Sequence, residues 1–237
     1  MNKSIVIGIV MSCVVALIPV KSNAILLNAG DTAFLPGTTA AMEPELAGVV
    51  ISDNSIYDSI VPGGNNLFQV GIDVTNRVTR SNANNSLIFS PRLVPTLNNT
   101  TGNFLVDQVV IAGFSDFVLD VNYRSDGLGD RGPNTATRSA DGNELSFDFL
   151  FPLSVANLFA NPQEQSYFLS INSNATAYTN TGSMSIFGRH IDYPGETFEF
   201  TYAGLAVPVN EPVAVSEPPL TALFVIFLSC LMVFRRS

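Results

Sequence analysis

The sequence predicts an all-β protein, an antiparallel two-sheet β-sandwich of the jelly-roll or immunoglobulin-like kind, set between two apolar ends. Three observations predict it. Apolar and polar residues alternate cleanly over four separate stretches. Clusters of Gly, Pro, Asn and Asp divide those stretches, and only one short segment, 153–160, reads as helix.

The four stretches define the strands most clearly. In 67–75, Phe68, Val70, Ile72 and Val74 share one face; in 116–124, Phe117, Leu119, Val121 and Tyr123 oppose Asp116, Asp120, Asn122 and Arg124. In 144–151, Leu145, Phe147, Phe149 and Phe151 align against Glu144, Ser146 and Asp148, and in 197–203 Phe198, Phe200 and Tyr202 align against Thr197, Glu199 and Thr201. A period of 2 with one apolar side means half-buried antiparallel strands, one face dry and one wet. Apolar segments at 47–52, 87–94, 104–111, 166–172 and 183–187 supply further strands. The turn-rich punctuation includes 62–66, 81–85, 98–102 and the long run 127–142.

Length and composition bound the rest. The 237 residues suffice for one medium domain or two small ones. The net charge is −9, yet both lysines, Lys3 and Lys21, lie near the start, and Arg235 and Arg236 close the chain. Between residues 25 and 234 stand 7 arginines against all 20 acids, a net of −13. Such a body repels phosphate backbones and anionic lipid headgroups, so nucleic-acid binding is not expected. Both cysteines, Cys13 and Cys230, sit in the apolar ends, so the body has no disulfide and relies on its core. With a single histidine, His190, and no Trp, the 17 phenylalanines are the main core filler, and zinc sites of the Cys or paired-His type are excluded.

The ends read as addresses. Residues 1–24 carry one cation, Lys3, an apolar run from Ile5 to about Val20, and small residues at Ser22 and Ala24, which is the layout of a secretory signal peptide cleaved after Ala24. The body domain is expected over 25–205 and a Pro-rich stalk over 206–219. Residues 220–237 then hold fifteen uncharged residues, Leu220 to Phe234, followed by Arg235-Arg236-Ser237. As a transmembrane helix this run is short, roughly 22 Å against a hydrocarbon core of ~30 Å. The arginines form a positive-inside stop that leaves the body outside.

Val215-Ser216-Glu217-Pro218-Pro219, the apolar run and Arg235-Arg236 together resemble the PEP-CTERM sorting signal of Gram-negative bacteria. Glu217 and Pro218 match the last two positions of its Pro-Glu-Pro motif, and Ser216 stands at the first. The resemblance covers about the last 23 residues. It implies export, transient anchoring in the inner membrane, and processing by an exosortase, a membrane-embedded cysteine transpeptidase. It also implies delivery to the cell envelope, outer surface or extracellular matrix, often beside extracellular polysaccharide, and leaves the body domain unspecified.

Candidate chemistry in the body is sparse, and no catalytic residue is assigned. His190, with Asp192 two residues on, reads as a solvated histidine, and no Gly-x-Ser-x-Gly elbow is present. The loop from Arg124 to Asn134, with Asp141 and Glu144 beyond it, has the oxygen ligands and glycines that calcium requires, Asp126 and Asp130 leading. Against calcium, Arg124, Arg131 and Arg138 neutralise much of that charge; no other cofactor is expected. Asn84, Asn98, Asn99 and Asn174 match the N-glycosylation pattern but read as polar turn residues. The expected function is that of a non-enzymatic structural or adhesive matrix protein. The alternatives are a carbohydrate-binding module and, further off, a secreted glycoside hydrolase built on paired carboxylates.

Overall fold

The computed structural model describes residues 25–57, 59–60, 69–96, 102–156, 163–191, 193 and 195–210. The expected signal peptide with Ala24, the sorting motif Ser216, Glu217 and Pro218, the apolar run, and Arg235 and Arg236 lie outside the described residues.

The strands are β1 (Thr32–Phe34), β2 (Gly48–Ile56), β3 (Ser59–Ile60), β4 (Val70–Ser81), β5 (Leu87–Pro95), β6 (Asn103–Ala112), β7 (Leu119–Arg124), β8 (Thr135–Arg138), β9 (Glu144–Ala156), β10 (Phe168–Ser173), β11 (Ala177–His190) and β12 (Thr197–Val209). They form two antiparallel sheets. The first runs β2-β4-β5-β10-β7, with β3 also on β4; the second runs β1-β8-β9-β6-β11-β12. Among the described residues there is one 3-10 turn, Pro44–Leu46, and no helix long and apolar enough to cross a membrane.

The core lies between the sheets, and alternation builds it. Val70, Ile72, Val74 and Val78 of β4 meet Leu145, Phe147 and Phe149 of β9 and Phe198, Phe200 and Tyr202 of β12 in one buried cluster. Aromatic rings fill it edge to face, as in Phe89–Phe114 with centroids 5.6 Å apart and Phe104–Phe198 at 5.7 Å.

Three sequence expectations are corrected. Phe151 is 63% exposed although it continues the alternation of Phe147 and Phe149. The β6–β9 register jumps from Gln108↔Asp148 to Val106↔Leu153, so residues 149–152 of β9 face Asp107 alone. Pro152, which has no N–H for the ladder, lies in this bulge, and Leu150 and Phe151 are turned to solvent. The expected helix at 153–160 is strand as far as Ala156, because Leu153 and Val155 are buried with Ser154 between them and pair with β6; residues 157–160 lie outside the described residues. The stalk does not begin at 206. Strand β12 runs to Val209 and buries Ala206 and Val207, after a register shift at Gly204, whose φ of +87° suits glycine. Pro208 is tolerated because β12 is an edge strand.

The other edges are managed differently. Strand β7 is covered by the chain before it: Val121 N–H donates to Ile25 O, Leu27 N–H to Leu119 O, and Thr38 N–H to Tyr123 O. Among the described residues no strand pairs with the outer edge of β2, and an irregularity between Val50 and Ser52 breaks its ladder.

Phe147→Ala is expected to cost about 3–5 kcal/mol, the range for a fully buried Phe, whereas Phe151→Ala stays within about 0.5 kcal/mol as a surface change. Denaturant midpoints of the two variants check the register; equal losses would place Phe151 in the core after all.

Candidate functional site

The outer face of the first sheet carries the most developed site among the described residues. Arg77 and Thr79 alternate with the core residue Val78 on β4, and Arg77 pairs across to Ser90 of β5. Phe168 of β10 lies opposite Arg124 of β7. These side chains, with Leu46, Val50 and Leu128, line a cleft of about 450 Å³, a volume usual for small-ligand sites.

Its electrostatics are arginine-centred. The Arg77 guanidinium lies 4.2 Å and that of Arg92 5.2 Å from the centre of the Phe168 ring, two cations on one π-system. Burial and the neighbouring Arg77 charge push the Arg92 guanidinium below its ordinary range. Arg77 reaches Asp53 through Nη2 at 2.7 Å, and its Nε is enclosed without an acceptor. Arg124 is tied on three sides: Nε and Nη2 bind Asp126 at 2.7 and 3.0 Å, and Nη1 donates to Leu46 O. Guanidinium forks and the hydroxyls of Thr79 and Ser90 beside the apolar surface of Val50 and Leu128 can hold a polar ligand with apolar edges. Arg80 also lies on this sheet, and Arg131 is tied to Glu164, so five of the body's seven arginines gather on or beside it.

The calcium expectation is not met by the geometry. Asp126 is taken by Arg124 and the Ala40 amide, and the hydrogen bond from Arg124 holds its carboxyl below the ordinary range. Asp130 accepts from the Gln165 amide at 2.9 Å, and Asp141 accepts from Ser139 and the Asn143 amide. No group of three or more His, Cys, Asp or Glu among the described residues is placed to hold a metal. His190 is a second correction. It is buried at 4% exposure, its ring edge-on to Phe104 at 4.7 Å and Tyr193 at 4.8 Å, because β11 carries it into the Phe104–Phe198 end of the core; Asp192 lies outside the described residues.

The alternation placed Asp120 and Asn122 on a wet face. That face is roofed by the segment between β1 and β2, so Asn122 is only 2% exposed, and Asp120 shares the space with Glu43. Burial first, then the charge of Glu43, push the Asp120 carboxyl up to about 6, with Glu45 adding least and a hydrogen bond from the Ile25 amide opposing them. Nothing local in the sequence marks this, since the roof is some 75 residues away along the chain.

A carboxyl at about 6 in the fold and 3.8 unfolded gives a definite sign. Its contribution to stability is complete below the unfolded value and is lost as the pH rises through about 6. Asp126 acts oppositely, and its contribution is lost only in stronger acid. In the full chain the melting temperature is therefore expected to rise as the pH falls from 7 to about 4, and Asp120→Asn to remove most of that rise. An Asp120→Asn profile parallel to the parent's would show the carboxyl to be ordinary.

No protein-family model, curated protein or solved structure matches the chain, and its function is read from its own residues.

Proposed function

We propose that the chain is an exported structural or adhesive protein of the cell envelope or extracellular matrix, delivered by its N-terminal leader and sorted through its PEP-CTERM-like tail. The finer architecture belongs to the same reading: a signal peptide over 1–24, a jelly-roll or immunoglobulin-like sandwich, and a transmembrane helix closed by Arg235-Arg236. The observation that carries it is the order of features at the end of the chain: Ser216-Glu217-Pro218, fifteen uncharged residues, then two arginines. A run that short is marginal as a permanent span and suits recognition by an exosortase-type enzyme. A disulfide-free sandwich with an acidic surface agrees with a soluble body held outside the membrane.

The cleft favours a second reading, a carbohydrate-binding module. Guanidinium and hydroxyl donors next to apolar surface match the alternating hydroxyl and C–H faces of a sugar chain. A partner peptide adding to β2 is less suited, because the broken register at Ile51 interrupts the edge beside the cleft.

Intact mass of the exported protein tests the first reading. Cleavage is expected at or next to Ser216-Glu217-Pro218, and Glu217→Ala with Pro218→Ala is expected to preserve insertion and block processing. A mature chain still ending at Ser237 would make it an ordinary anchored protein. For the second reading, calorimetry with extracellular oligosaccharides is expected to show binding that Arg77→Met weakens roughly tenfold or more, the scale of one charged hydrogen bond. Arg189→Met, on the other sheet, is the control and should leave the affinity unchanged; equal affinities of the parent and Arg77→Met would dismiss the cleft.

A further inference from the structure

On the arginine-rich face of the first sheet, not every cation has a carboxylate. Arg77 pairs with Asp53, Arg124 with Asp126 and Arg131 with Glu164. Arg80 and Arg92 meet neutral oxygens instead, Arg80 the carbonyls of Asn85 and Thr176 and Arg92 the side chain of Gln165. Arg92 is the sharper case. It is 7% exposed, its Nε is enclosed without an acceptor, and it forms no ion pair among the described residues. Asp130 acts on it from a distance but accepts from the Gln165 amide, and burial and the Arg77 charge each outweigh it. A buried cation with no carboxylate of its own is costly, so the surroundings of Arg92 favour an anion.

Arg77 brings that charge to the cleft. Its guanidinium shares the Phe168 ring with Arg92, the two lying 4.2 and 5.2 Å from the ring centre. Only Nη2 is engaged, by Asp53 at 2.7 Å; Nη1 makes no hydrogen bond among the described residues, and the side chain is partly exposed. Thr79, on the same face of β4, and Ser90, opposite Arg77 on β5, also line the cleft. Neither hydroxyl is bonded among the described residues, although Ser90 is 5% exposed. A carboxylate, planar and with two acceptor oxygens, matches a guanidinium edge flanked by hydroxyl donors. The apolar surface of Val50 and Leu128 suits the C–H face of the ring that carries it.

We infer that the cleft selects an acidic sugar, its carboxylate received by Arg77 and the hydroxyls of Thr79 and Ser90, with Arg92 as the buried cation that favours the negative charge. The assignment rests on the carbohydrate reading of the cleft and deepens it from sugars in general to uronates. The charge of the whole body then sets the form of the ligand. A net of −13 between residues 25 and 234 repels a densely charged polyanion. A single carboxylate at Arg77 feels the local cations most, because more distant acids are screened over a Debye length of ~8 Å at physiological ionic strength. The ligand is therefore a sparsely charged chain, neutral sugars with a uronate at intervals. Asp53 competes for the same guanidinium and so tempers the selection.

Calorimetry on the full chain tests this with disaccharides that carry one glucuronate, galacturonate or mannuronate, each beside its methyl ester. The ester keeps the ring and its hydroxyls and removes only the charge. At least one acid is expected to bind about tenfold more tightly than its ester, the scale of one charge-assisted hydrogen bond. Arg77→Met is expected to abolish that difference, and Arg92→Met, which leaves the cleft lining intact, to shrink it severalfold. Asp53→Asn is expected to widen it severalfold by freeing Arg77, a response that a purely structural Arg77–Asp53 pair would not give. If Arg92→Met fails to fold, Arg77→Met and Asp53→Asn decide the matter. A preference that survives Arg77→Met overturns the seat at Arg77. Acids and esters that bind alike overturn the acid selection and leave the carbohydrate reading standing. No binding by any acid or ester overturns both.

Discussion

Arg138 is the interaction on which the rest of this sandwich depends. It is 6% exposed, and its guanidinium donates to the main-chain carbonyls of Leu27, Phe114, Phe117 and Gly142. Those carbonyls belong to the N-terminal segment, the β6–β7 connection and the β8–β9 turn, three pieces that no disulfide joins. Burial pulls the guanidinium below its usual range, yet an arginine remains charged there, and four acceptors replace its lost water. Each carbonyl left unpaired in its absence would cost about 1–3 kcal/mol, which explains why a cation sits at the corner of an otherwise apolar core.

With the N-terminal segment held by Arg138, its course over the first sheet follows. Residues 25–27 pair with β7, the chain crosses to form β1 on the other sheet, and residues 36–40 return to pair with β7 further along. Gly37 is needed at that return, because its φ is +78° and a Cβ there would stand 2.7 Å from the Tyr123 ring. The segment then descends through Pro44–Leu46 into β2, leaving Leu46 as one wall of the arginine cleft. One strap therefore closes a sheet edge, roofs Asp120 and shapes the cleft.

Strand identity was legible in the sequence wherever one face is apolar, as at Val70–Val74, Leu145–Phe149 and Phe198–Tyr202, because the period of 2 reports burial directly. What was not legible depends on contacts between distant segments. The alternation carries through Phe151, but the partner strand runs out of register at Pro152. The same alternation labels Asn122 wet, because a roof contributed by residues 35–47 leaves no local trace. The net charge of the body was plain, whereas its distribution was not: the arginines come together only when β4, β5, β7 and β10 align side by side. Of the candidate site residues, Asp126 and Asp130 were visible as a loop of acids, and the structure gives each a protein donor.

That charge distribution has a further consequence for a protein with 20 acids and 7 arginines between residues 25 and 234. An excess of like charge keeps such a body soluble and opposes its compaction. The arginines are spent where desolvation would make repulsion worst, on the half-covered outer face of the first sheet and at the Arg138 corner. The acids left over are tolerable on the wet faces of β9 and β12, where Glu144, Asp148 and Glu199 meet water or neutral donors such as Gln108. Under the roof, burial and the nearby charge of Glu43 push the Asp120 carboxyl up, so part of the acidic excess is felt inside the fold there.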